Sequence, residues 1–210
     1  RAYYATAYGD MNAIMRTKDG IPTNAIFAFA NMICKLLQSF KGGESIFVAF
    51  DTDKDTFRKE EFADYKANRA PCPEDLKKQF PLSREMMRSL GILCFEEHGV
   101  EADDLAGTVA TLASKAGYSV TLYTSDRDYL QLIDANTKVS LLKTGLSNME
   151  LLDEAGMKAK FGLTPKQIID YKGLRGDDSD NLPGIPGVGD KTAVKLIQQY
   201  GSFEAIMEAS

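Results

Sequence analysis

Histidine is nearly absent: His98 is the only one in 210 residues, so a multi-histidine metal centre is excluded and any histidine-dependent catalysis must rest on it alone. Cysteine is scarce too. Cys34, Cys72 and Cys94 are odd in number, widely spaced and without a Cys-x-x-Cys pair, which argues against a disulfide framework and a thiolate zinc site. That usage fits a reducing, cytoplasmic setting. The longest apolar stretch, Ala25 to Ile33, is interrupted by Asn31 and falls far short of a membrane span, and nothing resembles a cleavable signal. Long repeats and low-complexity tracts are missing. With 44% hydrophobic and 26% charged residues, the chain reads as one large globular domain or two small ones. Catalysis by such a chain falls to carboxylates.

Base is missing where acid is densest. No Lys or Arg stands between Ser89 and Ser114, yet Glu96, Glu97, Glu101, Asp103 and Asp104 fall within nine residues. Lys54 to Arg88, by contrast, carries nine basic against seven acidic residues, and Lys158 to Lys195 seven against five. The net charge of -5 alone argues weakly against a polyanionic partner. A compact acidic focus between basic segments is what a cation-dependent enzyme acting on phosphates needs, because a bound divalent ion reverses the local sign. The plainer alternative is an acidic loop beside solvated helices.

Ile46 to Phe50 (IFVAF) is an apolar run without alternation, which predicts a strand buried on both faces of a parallel sheet, as do Val120 to Tyr123 and the shorter Ile92 to Phe95. Between the last two, Ala102 to Lys115 has helical spacing, giving a strand-helix-strand unit. Further helices are expected over Thr23 to Phe40 and Glu74 to Leu90. The pattern is α/β, with a mostly parallel sheet flanked by helices. In the last third, Thr164 and Pro165 predict a capped helix to about Arg175, and Asp190 to Tyr200 another helix ending at Gly201. A helical subdomain is thus appended to the sheet. The expected division is an α/β core over 1-150 and a helical part over 151-210.

Asp51 follows IFVAF directly, and Asp126 and Asp128 follow VTLYTS. In open α/β sheets ligands bind beyond the carboxyl ends of strands, so both places are the expected active-site edge. Glu101, Asp103 and Asp104 open the helix entering that edge, where acids are common as partners of the helix dipole. Clustered with Asp51, Asp126 and the loop acids Asp177, Asp178 and Asp180, they would repel one another without cations. Oxygen ligands without His or Cys select Mg²⁺ or Mn²⁺ over zinc. An EF-hand over Asp51-x-Asp53-x-Asp55 fails, because Thr56 stands where glycine is needed and Phe62 where the bidentate Glu belongs.

Gly184-Ile-Pro-Gly187-Val-Gly189-Asp-Lys191-Thr192 presents backbone N–H groups at a helix start, a sequence-independent cradle for phosphate with Lys191 as a supporting charge. These stretches, together with GIPTNAIFAFANM, VAFD, FRKEEFADYKANRAPCPEDL, GVEADDLAGTVA, TSDRDYLQLI and KLIQQYGSFEAI, resemble the 5′-nuclease family of the bacterial DNA polymerase I 5′-3′ exonuclease domain and the flap endonucleases. The resemblance, which also takes in RAYYA at the start, covers essentially the whole chain. It implies a two-metal phosphodiesterase of PIN-like, helix-hairpin-helix build that recognises branched DNA with a 5′ end and removes flaps or primers.

By position, the resemblance places Asp51, Glu101 and Asp103 at a first metal, and Asp126, Asp128 and Asp180 at a second, with Asp103 able to serve both. Asp104 and Asp177 match outer acids. Tyr65, Lys66 and Arg69 match the segment entering a helical arch (about 54-90), where Lys66 and Arg69 meet the scissile phosphate. Gly184, Gly187, Gly189, Lys191 and Thr192 match the duplex-binding hairpin, which in the family carries potassium. The resemblance also implies a preceding strand with its own metal-binding Asp just upstream of Arg1, a monomer, and covalent linkage to a polymerase portion. Two rivals remain. Asp51-x-Asp53-x-Asp55-Thr56 imitates the nucleophile motif of haloacid-dehalogenase-like phosphatases, which leaves the glycine hairpin unexplained. The other is a DNA-binding module with an incomplete metal site.

Overall fold

The structure, a computed structural model, describes residues 14–52, 56–143 and 148–209, so RAYYA, Asp53 and Asp55 lie outside the described residues. In chain order the elements are α1 (Asn24–Gln38), β1 (Phe47–Ala49), α2 (Phe57–Glu61), α3 (Glu74–Lys77), α4 (Gln79–Ser89), β2 (Leu93–Phe95), α5 (Ala102–Lys115), β3 (Val120–Thr124), a 3₁₀ helix (Arg127–Leu132), β4 (Thr137–Leu142), β5 (Met149–Leu152), α6 (Glu154–Phe161), α7 (Gln167–Arg175), β6 (Gly176–Asp177), β7 (Leu182–Pro183), α8 (Asp190–Tyr200) and α9 (Phe203–Glu208). They fall into two compact units: the described residues of 1–50, 70–96 and 143–148, and those of 51–69, 97–142 and 149–210.

In the first unit β1 and β2 pair in parallel, and Ile33, Met87 and Ile92 form a core under Phe29, Val48 and Phe50. The expected burial of β1 on both faces is not met: Phe47, Val48 and Ala49 are half-buried. Among the described residues β1 has only β2 beside it, and Leu93 is 65% exposed. The start of α1 is held from afar. The Gln79 side-chain oxygen accepts from the amides of Ala25 and Ile26, at 2.8 and 3.2 Å, while its amide donates to Asn24 and to the Asp75 carbonyl. The helix expected over Glu74 to Leu90 is interrupted at Lys78, because Pro81 has no amide hydrogen to give the Lys77 carbonyl.

The second unit is built on β4, parallel to β3 and antiparallel to β5. Val139, Leu122, Leu130, Leu152 and Met157 are buried in it, and α5 contributes buried Ala106 and Ala110. α5 and α8 occupy the ranges their spacing predicts, and α8 stops at Gly201, at φ +94°. The helix expected from Thr164 begins regularly only at Gln167. No Thr164 side-chain cap forms; the Thr164 amide donates to the Gln167 side chain instead, at 3.0 Å. Leu163, Ile168, Leu174, Ala193 and Ile197 are buried in this helical part.

Candidate active site

β3 ends at Thr124, and its continuation carries the next acids into place. The Thr124 hydroxyl accepts from the Asp126 amide, and Asp126 Oδ1 accepts from the Asp128 amide at 3.0 Å, so Asp126 caps the 3₁₀ helix while standing at the strand end. Asp51 meets the start of α5, where its Oδ1 accepts from the Ala102 amide at 2.7 Å. Glu101 is the N-cap of α5 and forms a capping box with Asp104. The resulting first turn projects Asp103 into a cavity of about 590 Å³ that Tyr65, Asp128 and Asp180 also line.

These carboxylates are not equivalent. Asp104 is engaged on both oxygens by Arg58, at 2.6 and 2.7 Å, and that hydrogen bonding holds its carboxyl below the usual range. Glu101, buried, accepts from Lys66 Nζ at 2.7 Å. Asp103 has no such partner. Its Oδ1 is buried without a hydrogen bond, and burial, reinforced by Glu101 and Asp104, pushes its carboxyl up to about 6.

Residues 63–69 are a run of turns laid on the loop after Asp177. Lys66, in the left-handed region at φ 57°, donates its amide to the Asp180 carbonyl at 2.9 Å. Arg69 pairs with Asp180 at 2.6 Å, and Asn68 and Asn181 tie the two segments at 2.6 and 2.8 Å. The Tyr65 hydroxyl stands 3.2 Å from Glu101 Oε2 and 3.3 Å from Asp180 Oδ2. Glu101 and Asp180, far apart in sequence, therefore converge on one phenol. Burial first, then the nearby acids, raise that phenol to about 12.

Asp128, Asp177 and Asp180 bring one carboxylate oxygen each within 4.8 Å of one another. Lys172, on α7, ion-pairs with both Asp128 and Asp177. Burial raises Asp177, but Lys172 and Ser179 outweigh it and hold the carboxyl at about 2; at Asp128 burial prevails and the shift is upward. The donor set fits a hard divalent ion: it is all oxygen, one group lies within chelating distance, and Asp103 keeps a buried oxygen in need of a cation.

The glycines of the hairpin differ in kind. A Cβ on Gly184 would lie 2.2 Å from the Arg175 carbonyl, where β6 and β7 pair, so this glycine permits a backbone crossing. Gly187 has φ +83°, and both it and Gly189 face open space. Lys191 and Thr192 are exposed at the start of α8. Arg175 joins this start to the acidic loop, reaching Asp190 at 2.5 Å and Asp178 at 3.1 Å, while Tyr171 donates to Asp190 at 2.8 Å.

Sequence reasoning passed over Arg58, Tyr129, Lys172 and Arg175. Two carried a readable sign: Lys172 and Arg175 stand on the helix running into Asp177, spaced so that a turn of helix puts both near its acids. Tyr129 carried none. Burial, then Asp103 and Asp126, raises its phenol.

Residues 1–162 match the 5′-3′ exonuclease N-terminal resolvase-like domain, and residues 163–210 match the 5′-3′ exonuclease C-terminal SAM fold. A resolvase-like layer continued by a SAM-like helical element belongs to a class of nucleases. Within that class the chain belongs to the 5′-3′ exonuclease family. It is 42% identical over 194 residues to DNA polymerase I of Bacillus caldotenax, covering 92% of this chain and 22% of that protein. To DNA polymerase I of Mycobacterium tuberculosis H37Rv it is 41% identical over 208 residues, covering 99% of this chain and 22% of that protein. The chain thus spans under a quarter of the length of these curated relatives. Among solved structures, T5 5′-exonuclease with bound zinc ions superposes with a TM-score of 0.73 at 25% identity, over 87% of this chain and 70% of that one. The catalytic core of Rad2 in complex with DNA substrate superposes at 0.58 and 21% identity, over 99% of this chain and 61% of that one, and shows the fold.

Proposed function

We propose that the protein is a structure-specific 5′-nuclease that hydrolyses phosphodiester bonds of DNA at 5′ ends or flaps, using two divalent ions, Mg²⁺ or Mn²⁺. The observation that carries this reading is the meeting of Glu101 and Asp180 at the Tyr65 hydroxyl, beside the unsatisfied Asp103 oxygen. Asp51, Glu101 and Asp103 would hold one ion, and Asp126, Asp128, Asp177 and Asp180 the other, with Asp104 occupied by Arg58 and acting through the α5 start. Bound ions of this kind supply an activated water and stabilise the attacking and leaving oxygens.

The chain's own residues do the rest. Lys66 and Arg69, held now by Glu101 and Asp180, stand where a phosphodiester would find two cations. Tyr65 fixes the carboxylates they leave. Gly187, Gly189, Lys191 and Thr192 offer amides, a charge and a hydroxyl to duplex backbone, and the turn there is the place for a potassium ion; Gly184 serves the crossing beneath. The α/β core would span 1-150 and the DNA-binding part 151-210. The T5 flap endonuclease relative was solved in a pseudo-enzyme–product complex with DNA and metal ions, which supports a DNA substrate here. The DNA polymerase I relatives support covalent linkage to a polymerase portion. Among the described residues no helix is long and apolar enough to cross a membrane.

The test offers the protein, as it occurs in the cell, a 5′-flap DNA and a small phosphomonoester with Mg²⁺. Cleavage of the flap alone supports the nuclease; turnover of the phosphomonoester alone would return the site to phosphatase chemistry. Cation-independent flap binding without cleavage selects the binding module.

A further inference from the structure

The glycine hairpin brings no net charge of its own to a polyanion. From Gly184 to Thr192 the only charged residues are Asp190 and Lys191, which cancel. Asp190 also opens α8, where Gly189 brings no side-chain cap and the first amides are left to an outside acceptor. A carboxylate there is a rival to a phosphate, since both are drawn to the same end of the helix dipole. That rival is held from α7. Asp190 Oδ1 accepts from the Tyr171 hydroxyl at 2.8 Å and from Arg175 Nε at 2.5 Å, and these two bonds keep its carboxyl below the usual range. Arg175 is fixed in turn, donating to the Gly176 carbonyl at 3.2 Å and to Asp178 at 3.1 Å. The Asp178 side chain is 93% exposed and its bond is the longer one, so water screens that partner and Asp190 is the carboxylate Arg175 chiefly serves.

We propose that Arg175 is a positioning residue for duplex binding, which, with Tyr171, holds and neutralises Asp190 so that Lys191 and the hairpin amides meet a DNA phosphate without a competing negative charge. This rests on the reading of the hairpin as a duplex-binding element and adds the residues that set its field. Its consequence is a dependence of one residue on another. Without Arg175 the Asp190 charge repels phosphate, and without that charge Arg175 is dispensable. The effect belongs to binding and leaves the chemical step alone.

The test is single-turnover 5′-flap cleavage by the protein as it occurs in the cell, with saturating Mg²⁺ and the enzyme titrated over the DNA, at low and at physiological salt. R175Q should raise the half-saturating enzyme concentration about fivefold or more at low salt, with the maximal rate within about twofold, and the rise should shrink as salt screens Asp190. Adding D190N to R175Q should restore half-saturation to within about twofold of D190N alone. Y171F removes the other partner of Asp190, so it should shift half-saturation the same way by less and be rescued the same way; it carries the test if R175Q melts early. A loss of equal size with and without D190N, a fall in maximal rate at unchanged half-saturation, or a shift below twofold overturns the proposal. Unchanged half-saturation in K191A overturns the duplex-binding reading of the hairpin, and the proposal with it. Absence of wild-type cleavage overturns the nuclease reading on which both stand.

Discussion

Asp103 carries the sharpest consequence at the scale of a single residue. Its carboxyl lies at about 6 in the folded chain against an ordinary 3.8. Between those values the folded state binds more protons than the unfolded one, so stability of the metal-free protein falls as pH rises through that window and stays lower above it. Asp103→Asn should therefore stabilise the metal-free protein at pH 7, on the order of 1 kcal/mol after allowing for partial solvent screening, which is about 2 to 4 °C in melting temperature. The same variant should lose the stabilisation that Mg²⁺ confers on the wild type. Melting curves with and without Mg²⁺ read both effects; a metal-free variant that melts earlier contradicts the account. Lys66→Ala makes a second, kinetic prediction. It should slow single-turnover flap cleavage by about a hundredfold, since a cation aimed at developing charge contributes roughly 2.7 to 4 kcal/mol, and should lower the melting temperature of the metal-free protein because it strips the buried Glu101 carboxylate of its ammonium partner. A loss below threefold would leave Lys66 as a partner of Glu101 only. The acids among these residues were legible from strand ends and helix starts. Lys172 was legible only in its spacing to Asp177; the pair it makes across the unit with Asp128 was not.

For the elements, the glycine hairpin separates fold from function. Gly184→Ala places a Cβ against the Arg175 carbonyl and must open the β6–β7 pairing, so it should cost at least about 1 to 3 kcal/mol, the range for overpacking a tight contact. Gly189→Ala meets nothing within 4 Å and keeps an ordinary φ of -93°. It should melt with the wild type yet bind flap DNA more weakly. Parallel melting and binding curves check the contrast; equal DNA affinity for Gly189→Ala would make these glycines a matter of turn geometry alone. Sequence periodicity located α5 and α8 well because their ends carry local signals, an acidic cap in one and Gly201 in the other. It missed β4, whose buried Thr137 and Ser140 break the apolar run that marks an interior strand. The α1 start was placed to within a residue, and only the partner that holds it, Gln79 from 54 residues away, was hidden.

On the scale of the whole molecule, the acids of the site come from segments that alternate along the chain with those of the other unit. Sequence could name them through the order of motifs, but only the fold shows that Tyr65 touches both Glu101 and Asp180. The central claim is that these carboxylates act by holding two divalent ions over a DNA phosphodiester. The most direct measurement is the single-turnover rate of 5′-flap cleavage as a function of Mg²⁺ concentration, taken from an EDTA-stripped start. The account predicts no cleavage in EDTA, flap binding retained there, and a rate that climbs with an order approaching two before it saturates; full cleavage with EDTA present would contradict it.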